Sequence, residues 1–155
     1  MFFLPDDLQL GGSQSRAKTI VESLRILKGI RDGQTASDSD RATLCRYVGL
    51  GQTDVRSKII DVDGDLTPEV ADLVPEPWLP ALRKSVLNAH YTDLAVCRAM
   101  WGIVERSGLA DLECPTWLEP ACGSGNFIGT APTWLRERGK CVGVEIEPVT
   151  ASIAR

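Results

Sequence analysis

The chain has 155 residues, of which 43% are hydrophobic and 25% are charged, and this composition is typical of a folded protein with one core. No apolar run approaches the roughly 20 residues that cross a bilayer, and the first residues lack a signal-peptide pattern, so we expect a cytoplasmic protein without membrane contact. A net charge of −4 and scattered basic residues argue against an extensive DNA-binding surface on this chain. The five cysteines form no C-x-x-C pair, which favours free thiols over disulfides, and we expect no metal site.

Residues 1–60 are predicted to form a helical region. Its first helix is indicated by an apolar stripe that ends before Gly33 and consists of Ile20, Val21, Leu24, Leu27 and Ile30. A second helix is expected to begin between residues 37 and 40 and to run through Leu44 and Tyr47. Residues 61–86 are acidic and rich in proline, and we interpret them as a linker.

Residues 87–155 are predicted to form an α/β region that begins with a helix from Asp93 to about Arg106. The apolar face of this helix consists of Leu94, Cys97, Trp101 and Val104. Thr92 is expected to be its N-cap, and Ser107-Gly108 should stop it.

A short strand is predicted to end at Glu119, with Trp117 and Leu118 as inward-pointing groups. A glycine turn follows this strand and opens a helix, which Pro132 should end early. A second short helical piece is expected up to residue 138, with Gly139 as its stop.

A second strand, over residues 141–145, is predicted to end in Glu145 and to lead into a further helix. Parallel strands in this order place the glycine turn and both carboxylates at one edge of a sheet, where α/β proteins bind nucleoside cofactors. Glycines let a ligand approach the backbone, and Glu145 is placed to accept hydrogen bonds from ribose hydroxyls. Glu119 would repel a pyrophosphate but attract the sulfonium and ammonium groups of S-adenosylmethionine, whose carboxylate could meet the free N–H groups of the following helix. A nicotinamide or flavin nucleotide site and a purely structural turn are the alternatives for this pattern.

The run from Glu119 to Phe127, Glu-Pro-Ala-Cys-Gly-Ser-Gly-Asn-Phe, resembles the first cofactor-binding motif of the N6-adenine DNA methyltransferases. Tyr91-Thr92 resembles the segment that lies upstream of this motif in that family and closes over the methionine end of the cofactor. The resemblance implies an α/β fold in which residues 87–155 form the first half of a Rossmann-like, S-adenosylmethionine-dependent methyltransferase domain. The cofactor contacts that it implies are Tyr91, Thr92, Glu119, Pro120, Ala121, Cys122, Gly123, Ser124, Gly125, Phe127, Glu145 and Ile146.

A wider resemblance, on softer motifs, extends to the start of large helicase–methylase proteins of plasmids and other mobile elements. It rests on Pro5-Asp6-Asp7-Leu8, Gly11-Gly12, Arg16-Ala17, Arg46-Tyr47-Val48-Gly49 and the segment from Leu87 to Thr92. It implies a long polypeptide in which a DNA methylase domain precedes a helicase. Nothing in the 155 residues matches a Walker loop, so we assign no helicase activity to them.

The sequence contains no Pro-Pro pair, whereas adenine methyltransferases use an (Asn/Asp)-Pro-Pro-(Tyr/Phe/Trp) tetrapeptide to hold the target amine and stack on the flipped base. We therefore expect a partial polypeptide that is inactive alone and contains no catalytic residue. DNA contact would then come through regions outside this chain. One alternative is a non-catalytic interaction module that a partner chain completes, and another is a nicotinamide-nucleotide-binding domain.

Overall fold

The computed structural model describes residue 8 and residues 11–56, 58–61 and 63–155. The motif residues Pro5-Asp6-Asp7 therefore lie outside the described residues. The helices are α1 (Ser13–Arg31), α2 (Asp38–Leu44), α3 (Thr53–Arg56), α4 (Pro68–Ala71), α5 (Leu79–Asn88), α6 (Leu94–Arg106), α7 (Asn126–Gly129), α8 (Thr133–Arg138) and α9 (Pro148–Ala154). The strands are β1 (Thr116–Glu119) and β2 (Lys140–Gly143), and short 3-10 helices cover Glu76–Trp78 and Leu109–Asp111.

The two N-terminal helices form where the sequence predicts them. α1 buries most of its apolar stripe, including Ile20 and Leu24, and ends two residues before Gly33, which has a φ of +93°. α2 begins after Ser37, and the side chains of Ser37 and Asp40 each bond to the other residue's backbone N–H. This capping box fixes the start of α2.

The prediction that α2 continues through Tyr47 is wrong, because the helix ends at Leu44. Residues 45–50 turn back towards the core, and Gly49 has a φ of +71°, which a right-handed helix does not allow. The turn buries Tyr47, Val48 and Leu50 almost completely. A continued helix would place these side chains on different faces and could not bury all three.

Residues 61–86 do not form the extended connector that their acidic, proline-rich composition suggests. They include α4 and most of α5, and they bury Val70, Val74, Leu82 and Val86. Pro68 and Pro80 lie in the first turns of α4 and α5. Backbone N–H groups in the first turn have no partner within the helix, so proline removes no helical hydrogen bond there. The prolines therefore mark helix starts, while the division of the chain at residues 60 and 86 stays a prediction.

One cluster of buried side chains joins the first half of the chain to its last helix. α1, α3, α4, α5 and the turn at residues 47–50 contribute most of it. Val149 of α9 is fully buried in the same cluster, and α9 contacts both α1 and α5. The helix that follows β2 is thereby packed against the N-terminal helices.

The two strands are parallel, with Thr116 paired with Lys140 and Glu119 paired with Gly143. They form a two-stranded sheet among the described residues. Helices and a parallel strand pair make the chain an α/β protein, as predicted.

The expectation that Trp117 and Leu118 both point inward is wrong. Trp117 is half-buried, whereas Leu118 is 60% exposed. Successive side chains of a strand point to opposite faces, so two neighbours cannot both face the same layer. The Trp117 face of β1 is covered by α6, since Trp117 meets Trp101 of that helix.

The N-cap of α6 is Asp93 and not Thr92, which corrects the prediction by one residue. The Asp93 carboxylate accepts a hydrogen bond of 2.8 Å from the backbone N–H of Ala95. Thr92 and Asp93 are both good capping residues, so local sequence does not decide between them. Gly108, with a φ of +82°, follows the end of α6 as expected.

The break predicted between two short helices after the glycine turn is confirmed. α7 ends before Pro132, which is the N-cap of α8, and Gly139 follows the last residue of α8. β2 ends at Gly143, two residues before Glu145, and α9 follows. Among the described residues, the structure has no helix of the length and hydropathy that a membrane span requires.

Candidate functional site

The glycine turn lies between β1 and α7, at the carboxyl ends of both strands. Gly123 and Gly125 have positive φ values of +54° and +92°. The backbone N–H of Cys122 donates to the carbonyl of Val144 at 2.9 Å, and Val144 N–H donates to the carbonyl of Glu119 at 2.9 Å. These bonds join the turn to the segment that follows β2, so its position is set by both strands.

The carboxylate of Glu145 binds the backbone of the glycine turn. One of its oxygens accepts a hydrogen bond of 2.9 Å from Gly123 N–H, and the other accepts one of 2.8 Å from Glu147 N–H. A carboxylate has about four lone-pair positions, so about two remain for a ligand. Glu145 therefore has a structural role that the sequence analysis did not anticipate, beside the predicted contact with ribose.

Glu147 is a buried carboxylate that the sequence analysis missed. It is 7% exposed, and it accepts hydrogen bonds from the backbone N–H groups of Val149 and Thr150 at 2.9 and 2.7 Å. It also accepts a 2.6 Å bond from the Thr150 hydroxyl. Glu147 is thus the N-cap of α9, and the Glu147-Pro148 pair was a helix-start signal that could have identified it.

Tyr91 lies against the glycine turn. A Cβ added to Gly123 would be 3.1 Å from two carbons of the Tyr91 ring. The Tyr91 hydroxyl is 2.9 Å from Thr150 Oγ1. Burial raises the pKa of the Tyr91 phenol, and the nearby charges of Glu147 and Glu145 add to the rise. The phenol is therefore neutral at physiological pH.

Thr92 and α6 contact the first residues of α7, which follow the glycine turn. The carbonyl of Thr92 accepts a 2.9 Å bond from Nδ2 of Asn126, the first residue of α7. Trp101 Nε1 donates to the carbonyl of Phe127 at 2.9 Å, and its ring meets Phe127 edge-on with centroids 6.2 Å apart. The Tyr91-Thr92 segment and α6 thereby fix the start of α7 relative to β1.

The thiol of Cys122 points towards β2, where a Cβ added to Gly143 would be 3.2 Å from Sγ. Burial raises the pKa of this thiol, and the negative charges of Glu145 and Glu119 raise it further. A neutral thiol is a poor nucleophile, so the chemistry available to Cys122 is packing.

Most of the sequence-predicted residues meet at this edge of the sheet. Gly123 is buried, while Glu119, Cys122, Ser124, Gly125, Phe127 and Glu145 are half-buried around it, with Tyr91 across the turn. Four predicted residues have exposed side chains, namely Thr92, Pro120, Ala121 and Ile146, which is 95% exposed. Contact of any of these residues with a cofactor stays a prediction.

A separate concavity of about 220 Å³ lies between α1 and α2. Its lining includes Glu22, Arg25, Ile30 and Asp40, and no residue of the glycine turn. Arg25 is bonded to Glu22 at 3.3 Å and to Glu69, so its charge is already satisfied.

No protein-family model matches the chain, and no curated protein sequence or solved structure matches it.

Proposed function

We propose that residues 87–155 bind S-adenosylmethionine and are the cofactor-binding part of an adenine-specific DNA methyltransferase. The observation that carries the proposal is the position of buried Gly123. It lies between the Tyr91 ring and the Glu145 carboxylate, at the carboxyl ends of two parallel strands. Such an edge is where α/β proteins bind nucleoside cofactors. The wider Rossmann-like fold, methyl transfer to DNA and a cytoplasmic location belong to the same proposal.

The electrostatics of the turn support a cationic ligand. Two carboxylates, those of Glu145 and Glu119, lie close enough to the Cys122 thiol for their negative charges to add to the burial that raises its pKa. A negative potential attracts the sulfonium and ammonium groups of S-adenosylmethionine and repels the pyrophosphate of a nicotinamide or flavin nucleotide. α7 has four residues, and so short a helix has a weak dipole with which to hold a pyrophosphate.

The methionine end and the ribose of the cofactor each have a proposed partner at the turn. Glu119 faces the positive methionine end, and Tyr91-Thr92 covers that end. Glu145 accepts hydrogen bonds from the ribose hydroxyls on the lone pairs that Gly123 and Glu147 leave free. Target-base recognition requires the Pro-Pro tetrapeptide, so the proposal assigns that step and most DNA contacts to sequence other than these 155 residues.

Calorimetric titration of the chain with S-adenosylmethionine, S-adenosylhomocysteine and NAD tests the proposal. We expect both adenosyl ligands to bind, with a Kd on the order of 10 µM for S-adenosylmethionine, and NAD not to bind at the same concentrations. Tighter binding of NAD than of S-adenosylmethionine would contradict the proposal and favour a nicotinamide-nucleotide site.

Glu119→Gln is the matched variant, because it removes the charge and keeps the shape. It should weaken S-adenosylmethionine binding about tenfold, or about 1.4 kcal/mol, with an unchanged unfolding temperature. The loss should be smaller for S-adenosylhomocysteine, which lacks the sulfonium charge. Equal losses of affinity for the two ligands would show that Glu119 does not interact with the sulfonium group.

A second candidate is a non-catalytic interaction module that a partner chain completes. The exposed face of the sheet favours it, because Leu118 and Val142 are paired neighbours on that face and both are more than half exposed. Contiguous exposed apolar side chains mark surfaces that other elements cover. A folded chain that binds none of the three ligands would favour this candidate.

A further inference from the structure

A chain of hydrogen bonds connects Tyr91 to the start of α9. The Thr150 hydroxyl donates to Glu147 at 2.6 Å, because an ionised carboxylate can only accept. The Tyr91 hydroxyl, 2.9 Å from Thr150 Oγ1, must then be the donor in the next bond. The direction of both bonds is therefore fixed, and Thr150 links Tyr91 to Glu147.

The Tyr91 ring is enclosed on two sides by glycines. A Cβ added to Gly49 would be 2.9 Å from Cε2, Cζ and the hydroxyl oxygen of the ring, and one added to Gly123 would be 3.1 Å from Cδ1 and Cε1 on its opposite edge. Tyr47, which is buried, lies beside it with ring centroids 6.3 Å apart. The ring thus lies between the turn at residues 47–50 and the glycine turn, and its hydroxyl meets Thr150.

A second connection joins the same two elements. Glu145 bonds to Gly123 N–H with one oxygen and to Glu147 N–H with the other. The glycine turn is therefore connected to the start of α9 in two ways. Glu145 joins them by hydrogen bonds, and the Tyr91 ring lies against Gly123 while its hydroxyl bonds to Thr150.

We propose that Thr150 and Glu147 are positioning residues, which hold the Tyr91 ring over Gly123 and so keep the glycine turn in the shape that accepts a ligand. The identity of that ligand rests on the proposed function, whereas the positioning of Tyr91 does not.

Thr150→Val tests the proposal, because it removes the hydroxyl and preserves the branched shape. We expect the amide hydrogen of Gly123 to exchange about tenfold faster with solvent, relative to that of Leu24 in α1, and S-adenosylmethionine to bind about tenfold more weakly. Thr150→Ser, which keeps the hydroxyl, should restore both values. Tyr91→Phe should reproduce the effect of Thr150→Val, and the double variant should show no further change.

Ser152→Ala is the matched control, since the Ser152 hydroxyl belongs to the same helix and bonds to Pro148. It should leave Gly123 exchange unchanged. Unchanged Gly123 exchange in both Thr150→Val and Tyr91→Phe would overturn the proposal, and so would an equal effect of Ser152→Ala. If the wild-type chain binds no S-adenosylmethionine, the proposed function fails, and amide exchange alone still decides the positioning role.

Discussion

Gly51→Ala is expected to lower the free energy of unfolding by about 3 kcal/mol. A Cβ at this position would be 2.3 Å from the carbonyl oxygen of Ala89 and 2.6 Å from its carbonyl carbon. These are backbone atoms, so relief requires the segment around Gly51 to separate from the segment that carries Tyr91. Urea denaturation followed by tryptophan fluorescence measures the loss.

Gly102→Ala is the matched control for this substitution. Gly102 lies inside α6, and its added Cβ would meet only the flexible end of Arg106 at 3.3 Å. Alanine is the better helix former, so this variant should gain about 0.5–1 kcal/mol. A Gly51→Ala chain as stable as wild type would show that the turn at residues 47–51 does not pack on the Tyr91 segment.

Gly123→Ala should lower the affinity for S-adenosylmethionine at least about tenfold and the free energy of unfolding by about 1–3 kcal/mol. Alanine is strained at a φ of +54°, and its Cβ would be 3.1 Å from the Tyr91 ring. The ring or the turn must move, and either movement changes the surface that faces the proposed cofactor. Calorimetric titration and urea denaturation of the same sample measure the two effects.

Gly33→Ala separates backbone strain from the contact with Tyr91. Gly33 has a φ of +93°, and a Cβ there would meet no atom within 4 Å. This variant should also lose about 1–2 kcal/mol of stability, but it should bind S-adenosylmethionine as wild type does. Wild-type affinity in Gly123→Ala would be evidence that the turn does not face the cofactor.

Local signals were sufficient to predict the elements around the candidate site. Gly123 and Gly125 indicated the turn, Pro132 indicated the break between α7 and α8, and Gly139 indicated the end of α8. Proline fixes the local backbone angle and glycine permits angles that other residues avoid, so each of these signals acts within one or two positions and can be read from the sequence alone. The parallel pairing of β1 with β2 followed from the order of strands and helices.

Long-range contacts could not be predicted in the same way. Tyr91 and Thr150 are 59 positions apart, and no periodicity in the sequence relates them. Proline in residues 61–86 was equally compatible with a linker and with helix starts, and only the burial of Val70 and Leu82 distinguishes the two. The wrong prediction that Leu118 points inward was avoidable, because successive side chains of a strand point to opposite faces.

The central claim is tested most directly by locating the site at which S-adenosylmethionine binds. Titration of the chain with this ligand, followed through the chemical shifts of the backbone amides, locates that site. The proposal predicts that the largest changes occur at Gly123, Gly125 and Glu145, with no change around the concavity that contains Glu22 and Asp40. Saturable changes that cluster at that concavity, or that leave the glycine turn unaffected, would contradict it.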